Sequence, residues 1–246
     1  MARTLRVPLA ALRAGERVLP EAEARYVTRV HRLGVGDVFV AFDPEERLEA
    51  DVELVHVGRD VVGRLGEPRA ARRTARTPVT LLQALGKSDK PERVLRDATA
   101  LGVEAVVFVE TARSVVHLAD RAEGRRRRWR AIAVDAARQS GRGDVPEVTG
   151  PLSLPEALAV AEGASGRICL SPEATSTFQE VLDGSPPDAH VALLVGPEGG
   201  FTTDEVSAAK AAGFTPASFG ELVLRTETAA VAALGAIVAR SFARVR

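Results

Sequence analysis

The 246-residue chain has one cysteine, Cys169, which excludes an internal disulfide and any metal site built from several cysteines. Cys169 stands in the run Arg167-Ile168-Cys169-Leu170, where a buried strand thiol is expected. The four histidines, His31, His56, His117 and His190, show no ligand spacing, and HExxH is absent, so no metal is expected. No segment approaches the roughly 18 apolar residues of a membrane span. The N-terminus has no signal-peptide core, so a cytoplasmic protein without membrane contact is expected. Charge of one sign is not in excess: 33 Lys and Arg stand against 33 Asp and Glu. That balance excludes a globally basic nucleic-acid binder and leaves room for a local basic patch. Familiar nucleotide and hydrolase motifs are missing too. Gly86-Lys87-Ser88 resembles the end of a phosphate-binding loop, but Leu81 stands where its first glycine belongs. Gly163-Ala164-Ser165-Gly166 fails the frame of a serine nucleophile elbow. No dinucleotide-type glycine pattern follows a strand.

What is present suits a globular protein of one large or two modest domains, with 46% hydrophobic and 27% charged residues. The first part is strand-like with one short helix. Pro20 and Glu21 open that helix, Tyr26, Val27, Val30 and Leu33 form its apolar stripe, and Gly34 ends it. Val38–Phe42 runs to a turn at Asp43–Glu46, and β-rich runs follow near Ala50–Val57 and Val61–Leu65. A compact β-barrel-like domain over 1–68 fits this pattern. Glu67–Pro78 carries four arginines, bounding prolines and no apolar periodicity, which marks 69–78 as a linker.

From 79 to 246 strands and helices alternate, which argues for an α/β domain with a parallel sheet. Strands are expected near Val79–Leu85, Ala105–Val109, Arg167–Ser171, Val191–Val195 and Pro216–Phe219. Thr202 and Glu205 have the spacing of a capping box, and Gly213 is a suitable stop for that helix. The last helix, about Glu227 to Ala243, repeats Ala230, Val231, Leu234, Ile237, Val238 and Phe242 at helical spacing.

The most informative stretch is Val191–Thr228. The apolar run Val191–Val195 breaks into Gly196-Pro197-Glu198-Gly199-Gly200-Phe201, and a second loop, Phe219–Thr228, leads into the last helix. Glycines at such a break let backbone groups approach a ligand closely. A tight strand-to-helix connection without a ligand is the competing explanation for the first loop alone. Both loops together resemble the SPOUT methyltransferases. More narrowly, they resemble the bacterial family that methylates N3 of a uridine in 16S ribosomal RNA, whose two segments approximate GPEGGF and LRTETA. Weaker likeness lies in Tyr26–Leu33, Lys87, Leu101-Gly102-Val103 and Ala136–Arg142.

The resemblance implies a C-terminal trefoil-knotted methyltransferase domain after a small PUA-like β-barrel. It implies S-adenosylmethionine as cofactor, 16S rRNA or the small ribosomal subunit as partner, and a homodimer through the C-terminal domain, whose last helix could face both core and partner. Leu194, Val195, Gly196, Leu222, Val223 and Leu224 then form the adenine slot, with Gly199, Gly200, Gly220 and Thr226 also on the cofactor. Uridine N3 is a poor nucleophile until its proton leaves. Arg225 is the candidate to balance the resulting negative charge. Glu198 and Glu227 are candidates for the base or for favouring the positive sulfonium. Arg29, Arg32, Lys87, Arg138, Gln139 and Arg142 are the candidate RNA contacts, because arginine forks pair with phosphates and glutamine reaches base edges or sugars. The run Arg125–Arg128 reads as a solvated face or a basic patch, and Trp129 as core packing. Asp97, Ala100, Ala112 and Leu222 depart from the family pattern. Two rivals stay open: ribose 2′-O methylation, and a non-catalytic RNA-binding assembly protein that keeps the loops as structure.

Overall fold

The computed structural model describes residues 4–75, 78–114, 122–186 and 189–242. His117, the linker's Arg76 and the end of the last helix at Ala243 lie outside the described residues. The chain divides into two compact units, Met1–Thr74 with Ala137–Val145, and Ala75–Ala136 with Pro146–Arg246.

The first unit is a sheet with one helix. Its strands are β1 (Arg6–Pro8), β2 (Gly15–Val18), β3 (Val38–Asp43), β4 (Leu48–Val57), β5 (Val61–Leu65) and β6 (Arg69–Ala70). They lie in the order β1-β3-β4-β5-β2, with β6 also paired to β4. All pairs are antiparallel except β1 with β3. Alternating strand residues such as Phe39, Ala41, Val52 and Leu54 fill a core closed by Val27. Val27 lies in a π turn over Tyr26–Val30 that continues α1 (Glu21–Arg25). That wider turn takes Val30 off the buried face, where it is 65% exposed, contrary to the expected stripe. Part of the arginine-rich stretch is held against β4. Arg69 pairs with Asp51 at 2.8 Å and with Glu49 at 3.3 Å.

The second unit is α/β. Its strands β7 (Val79–Ala84), β8 (Ala105–Glu110), β9 (Glu147–Ser153), β10 (Gly166–Leu170), β11 (Val191–Val195) and β12 (Thr215–Ala217) form one parallel sheet in the order β12-β10-β11-β7-β8-β9. β7 and β11 are buried at every residue, as expected for central parallel strands covered on both faces. β9 was not expected. Its Gly150-Pro151 pair reads as a turn, yet a proline is tolerated on an edge strand. A Cβ at Gly150 would lie 2.4 Å from the Phe108 carbonyl oxygen, so only glycine fits beside β8 there.

Helices α2 (Lys90–Leu101), α3 (Ala122–Ser140), α4 (Leu154–Val160), α5 (Phe178–Asp183), α6 (Thr203–Ala211) and α7 (Thr226–Phe242) complete the chain, the last turn of α3 belonging to the first unit. The capping box expected at Thr202 and Glu205 is formed, and Ser153–Glu156 and Thr177–Glu180 repeat it. Trp129 on α3 is buried against Phe108 with ring centroids 4.1 Å apart, so it is a core residue. Cys169 is buried in β10, and burial pushes its thiol up to about 12. α7 packs on α2 and β11 through Ala230, Ala233, Leu234 and Ile237. Among the described residues, no helix is long and apolar enough to cross a membrane.

Candidate active site

Three loops leave the carboxyl ends of β10, β11 and β12, the edge where open parallel sheets bind ligands. The first loop follows β11. The Gly200 amide donates to the Pro197 carbonyl at 2.9 Å, and Gly200 takes φ +68°, a conformation glycine adopts freely. Arg113, just past β8, donates to the Gly199 carbonyl at 2.6 Å. Glu205 braces the same region: it accepts from the Thr202 amide at 2.8 Å and from the Ala112 amide at 2.7 Å. The second contact uses the Ala112 backbone, so the family's missing side chain at this position does not undo it.

The second loop follows β12. Gly220 has φ +69°, and Leu222 and Val223 stand 70% and 78% exposed. Thr226 opens α7 and is buried. Its hydroxyl donates to the Gly196 carbonyl at 2.6 Å and accepts from Gln83 Nε2 at 3.0 Å. The two loops therefore share one hydrogen-bonded seam.

Between them lies a cleft of about 280 Å³. Of the expected cofactor residues, Val195, Gly196, Gly200, Leu222, Val223, Leu224 and Thr226 line it. So do Arg225 and Glu198. Leu194 does not: as an alternating residue of β11, it points into the core with Cys169 and Phe214. Gly199 faces an adjoining hollow of about 480 Å³ that shares Leu170, Ser171, Pro172, Glu198 and Gly200 with the cleft. Gly220 shapes the loop without lining the cleft. The sequence reading missed Leu170–Pro172, Ala217–Phe219 and Ala229, which complete the walls. Their strands were legible, but their convergence depends on the sheet order.

The electrostatics centre on a lysine that was also missed. Lys90 Nζ lies 2.9 Å from Glu198 Oε1 and 3.6 Å from Glu227 Oε2. The Lys87 amide also donates to Glu198 Oε1, at 3.2 Å. Burial alone would push the Glu198 carboxyl up. The Lys90 hydrogen bond and the backbone amides of Glu198 and Lys87 outweigh that and hold it below the usual glutamate value. The hydrogen bond to Glu198 correspondingly raises Lys90. Arg225 is exposed at the cleft wall.

The expected RNA residues divide by exposure. Arg29, Arg32, Lys87 and Gln139 are exposed. Arg138 is half-buried, with its guanidinium 4.3 Å from the centre of the Tyr26 ring. Arg142 departs from expectation: it is buried, and its Nε donates to Asp144 Oδ1 at 2.9 Å. The left-handed turn at Gly141 ends α3 before it, and the paired Arg142 side chain is withdrawn from solvent. Asp97 and Ala100 are exposed on α2, away from the cleft lining.

Residues 73–238 match the family model of the RNA methyltransferase domain. The chain is 36% identical over 221 residues to the ribosomal RNA small subunit methyltransferase E of Mycobacterium bovis, covering 87% of this chain and 83% of that one. It is 32% identical over 222 residues to the Bacillus subtilis protein of the same name, covering 87% and 86%. Among solved structures it is similar to the small subunit methyltransferase E of Neisseria gonorrhoeae bound to S-adenosylmethionine. That match has a TM-score of 0.85 and 28% identity, over 96% of this chain and 97% of that one. A Legionella pneumophila protein solved with the same cofactor bound gives a TM-score of 0.87 and 28% identity, over 97% and 98%.

Proposed function

We propose that this chain, which belongs to the family of the ribosomal RNA small subunit methyltransferase E, transfers a methyl group from S-adenosylmethionine to small-subunit ribosomal RNA. The observation that carries the reading is the seam from Thr226 to Gly196, which makes two glycine-containing loops the walls of one cleft. The finer target is uridine N3 in 16S rRNA, and the expected location is the cytoplasm.

The cleft fits the cofactor by its chemistry. Leu170, Val195, Ala217 and Ala229 offer an apolar slot of about 280 Å³, near the lower end of the roughly 300–1,000 Å³ usual for ligand sites. The loop backbones supply polar groups at its edge. Leu222 and Val223, exposed at the rim, are apolar surface that a bound adenosine covers. When bound, the cofactor supplies an electrophilic methyl on a positive sulfonium. The Glu198 carboxylate lines the cleft and the Glu227 carboxylate stands behind it, both of the sign that favours a cation nearby. Arg225 meets the charge that gathers on the uracil as its N3 proton leaves. Glu198 Oε1 already accepts from Lys90 and Lys87, so its part is electrostatic rather than that of a base. Arg29, Arg32, Lys87, Arg138 and Gln139 hold the RNA.

Residues 1–68 serve as a PUA-like RNA-binding domain, 69–78 as the connection, and 79–246 as the methyltransferase domain. The hydrogen bond between the two loops, with α7 packed on α2 and β11, is compatible with the trefoil knot that the family likeness implies. Val231, Ala232 and Val238 on α7 keep partial or full exposure, which supports a homodimer through that helix.

Calorimetry of the full chain with S-adenosylmethionine, followed by nucleoside mass spectrometry of small-subunit rRNA from a deletion strain, tests the reading. Saturable binding and loss of N3-methyluridine are expected. No binding at millimolar cofactor, or loss of a ribose 2′-O-methyl nucleoside instead, overturns it.

A further inference from the structure

We propose that Lys90 is a positioning residue for the cofactor cleft, clamping the glycine-rich loop through Glu198 and the first turn of α7 through Glu227. This rests on reading the cleft as the S-adenosylmethionine site. Lys90 is not among the cleft-lining residues, so it acts through its partners rather than on a ligand. It starts α2, Glu198 stands in the loop after β11, and Glu227 lies in the first turn of α7. One ammonium therefore joins three elements distant in sequence, and two of them carry the walls of the cleft.

The geometry favours positioning over a surface ion pair. The Lys90, Glu198 and Glu227 side chains are 27%, 29% and 22% exposed, well below the freely solvated pairs that contribute little. Glu198 Oε1 is met from two directions, by Lys90 at 2.9 Å and by the Lys87 amide at 3.2 Å, which holds that oxygen, and with it the loop, against the start of α2. A Cβ at Gly86 would come within 3.1 Å of both Glu198 oxygens, so the chain entering α2 is shaped to seat this carboxylate. Lys90 thus works in parallel with the Thr226 seam. Thr226 ties the loops by a hydroxyl-to-carbonyl hydrogen bond, and Lys90 ties them by charge.

The test is calorimetric binding of S-adenosylmethionine to the full chain, with steady-state kinetics on small-subunit rRNA. K90M keeps the length of the side chain and removes its charge; K90R restores the charge. The expected result is a cofactor Kd raised about tenfold in K90M and brought back to within about threefold in K90R, since a site no longer held in its binding shape must be ordered by the ligand. The rate at saturating cofactor stays within a few fold, so KM moves and kcat does not. Wild-type affinity in a folded K90M, or K90R as weak as K90M, overturns the proposal. Should K90M not fold, E227Q removes the other contact, and its affinity is read with the demethylated cofactor, which carries no sulfonium charge for Glu227 to favour. Failure of the wild-type protein itself to bind the cofactor sinks the functional reading instead, so the two failures are separable.

Discussion

Thr226 donates its hydroxyl proton to the carbonyl oxygen of Gly196 across 2.6 Å, joining the start of α7 to the end of β11. Behind it the buried Gln83 amide holds the same hydroxyl from β7 at 3.0 Å. Both Thr226 and Gly196 line the cleft, so this seam sets the separation of its walls. Thr226→Val keeps the shape and removes the hydroxyl. It leaves the Gly196 carbonyl and the Gln83 amide each short of a partner, which costs about 1–3 kcal/mol per buried group. Cofactor affinity is expected to fall about tenfold or more, read by calorimetry. An unchanged Kd in a folded variant removes the seam from the account of binding.

The first unit holds a charge network whose importance is to stability rather than chemistry. Glu49 has a side chain 2% exposed and receives Arg6 at 3.0 Å, Arg69 at 3.3 Å and Arg72 at 3.7 Å. Arg6 is itself only 12% exposed. Glu49→Ala strands that cation without its anion, and breaking a buried pair on one side costs about 3–5 kcal/mol. Denaturant unfolding followed through the first unit is expected to show a loss of about 3 kcal/mol, with Glu49→Gln in between. A loss below about 0.5 kcal/mol means that solvent reaches Arg6 once the carboxylate is gone.

The two loops were legible because their residue types are dictated locally. Gly200 and Gly220 take positive φ, and Thr202 and Glu205 cap a helix within one turn. The parallel sheet was legible because β7 and β11 are apolar throughout. What escaped depends on partners far away in sequence. Lys90 and Arg113 look like ordinary surface cations until the fold brings Glu198 and the Gly199 carbonyl to them. β9 hid behind Gly150-Pro151, which suits an edge strand as well as a turn. Arg142 read as an exposed phosphate contact because nothing local marks Asp144, two residues on, as its buried partner.

The exposed and buried arginines are expected to separate in salt titrations of RNA binding. Arg29→Ala and Arg32→Ala each remove an exposed charge. If each meets a phosphate, the slope of log affinity against log salt falls by about 0.7–0.9 per residue. Arg142→Ala removes a buried side chain paired at 2.9 Å, so it is expected to lower thermal stability first. Its salt slope should stay at the wild-type value wherever the protein remains folded. A reduced slope in a stable Arg142→Ala protein would make that residue a direct RNA contact after all.

Arg225 separates chemistry from docking. It is exposed at the wall of the cleft, next to the Thr226 that ties the cleft together, and its guanidinium is available to a substrate entering there. The charge it is proposed to meet builds up on the uracil only as the N3 proton leaves. Its contribution therefore belongs to the transition state and leaves cofactor affinity almost untouched. Removing such a donor costs on the order of 10²–10³ in rate, by analogy with oxyanion-hole deletions. Arg225→Ala is expected to show that loss in single turnovers at saturating RNA, with the cofactor Kd within a few fold of wild type. Saturating substrate rescues a binding defect and not a chemical one. Recovery of the wild-type rate at high RNA makes Arg225 a docking residue and leaves the uracil charge to be met by another group.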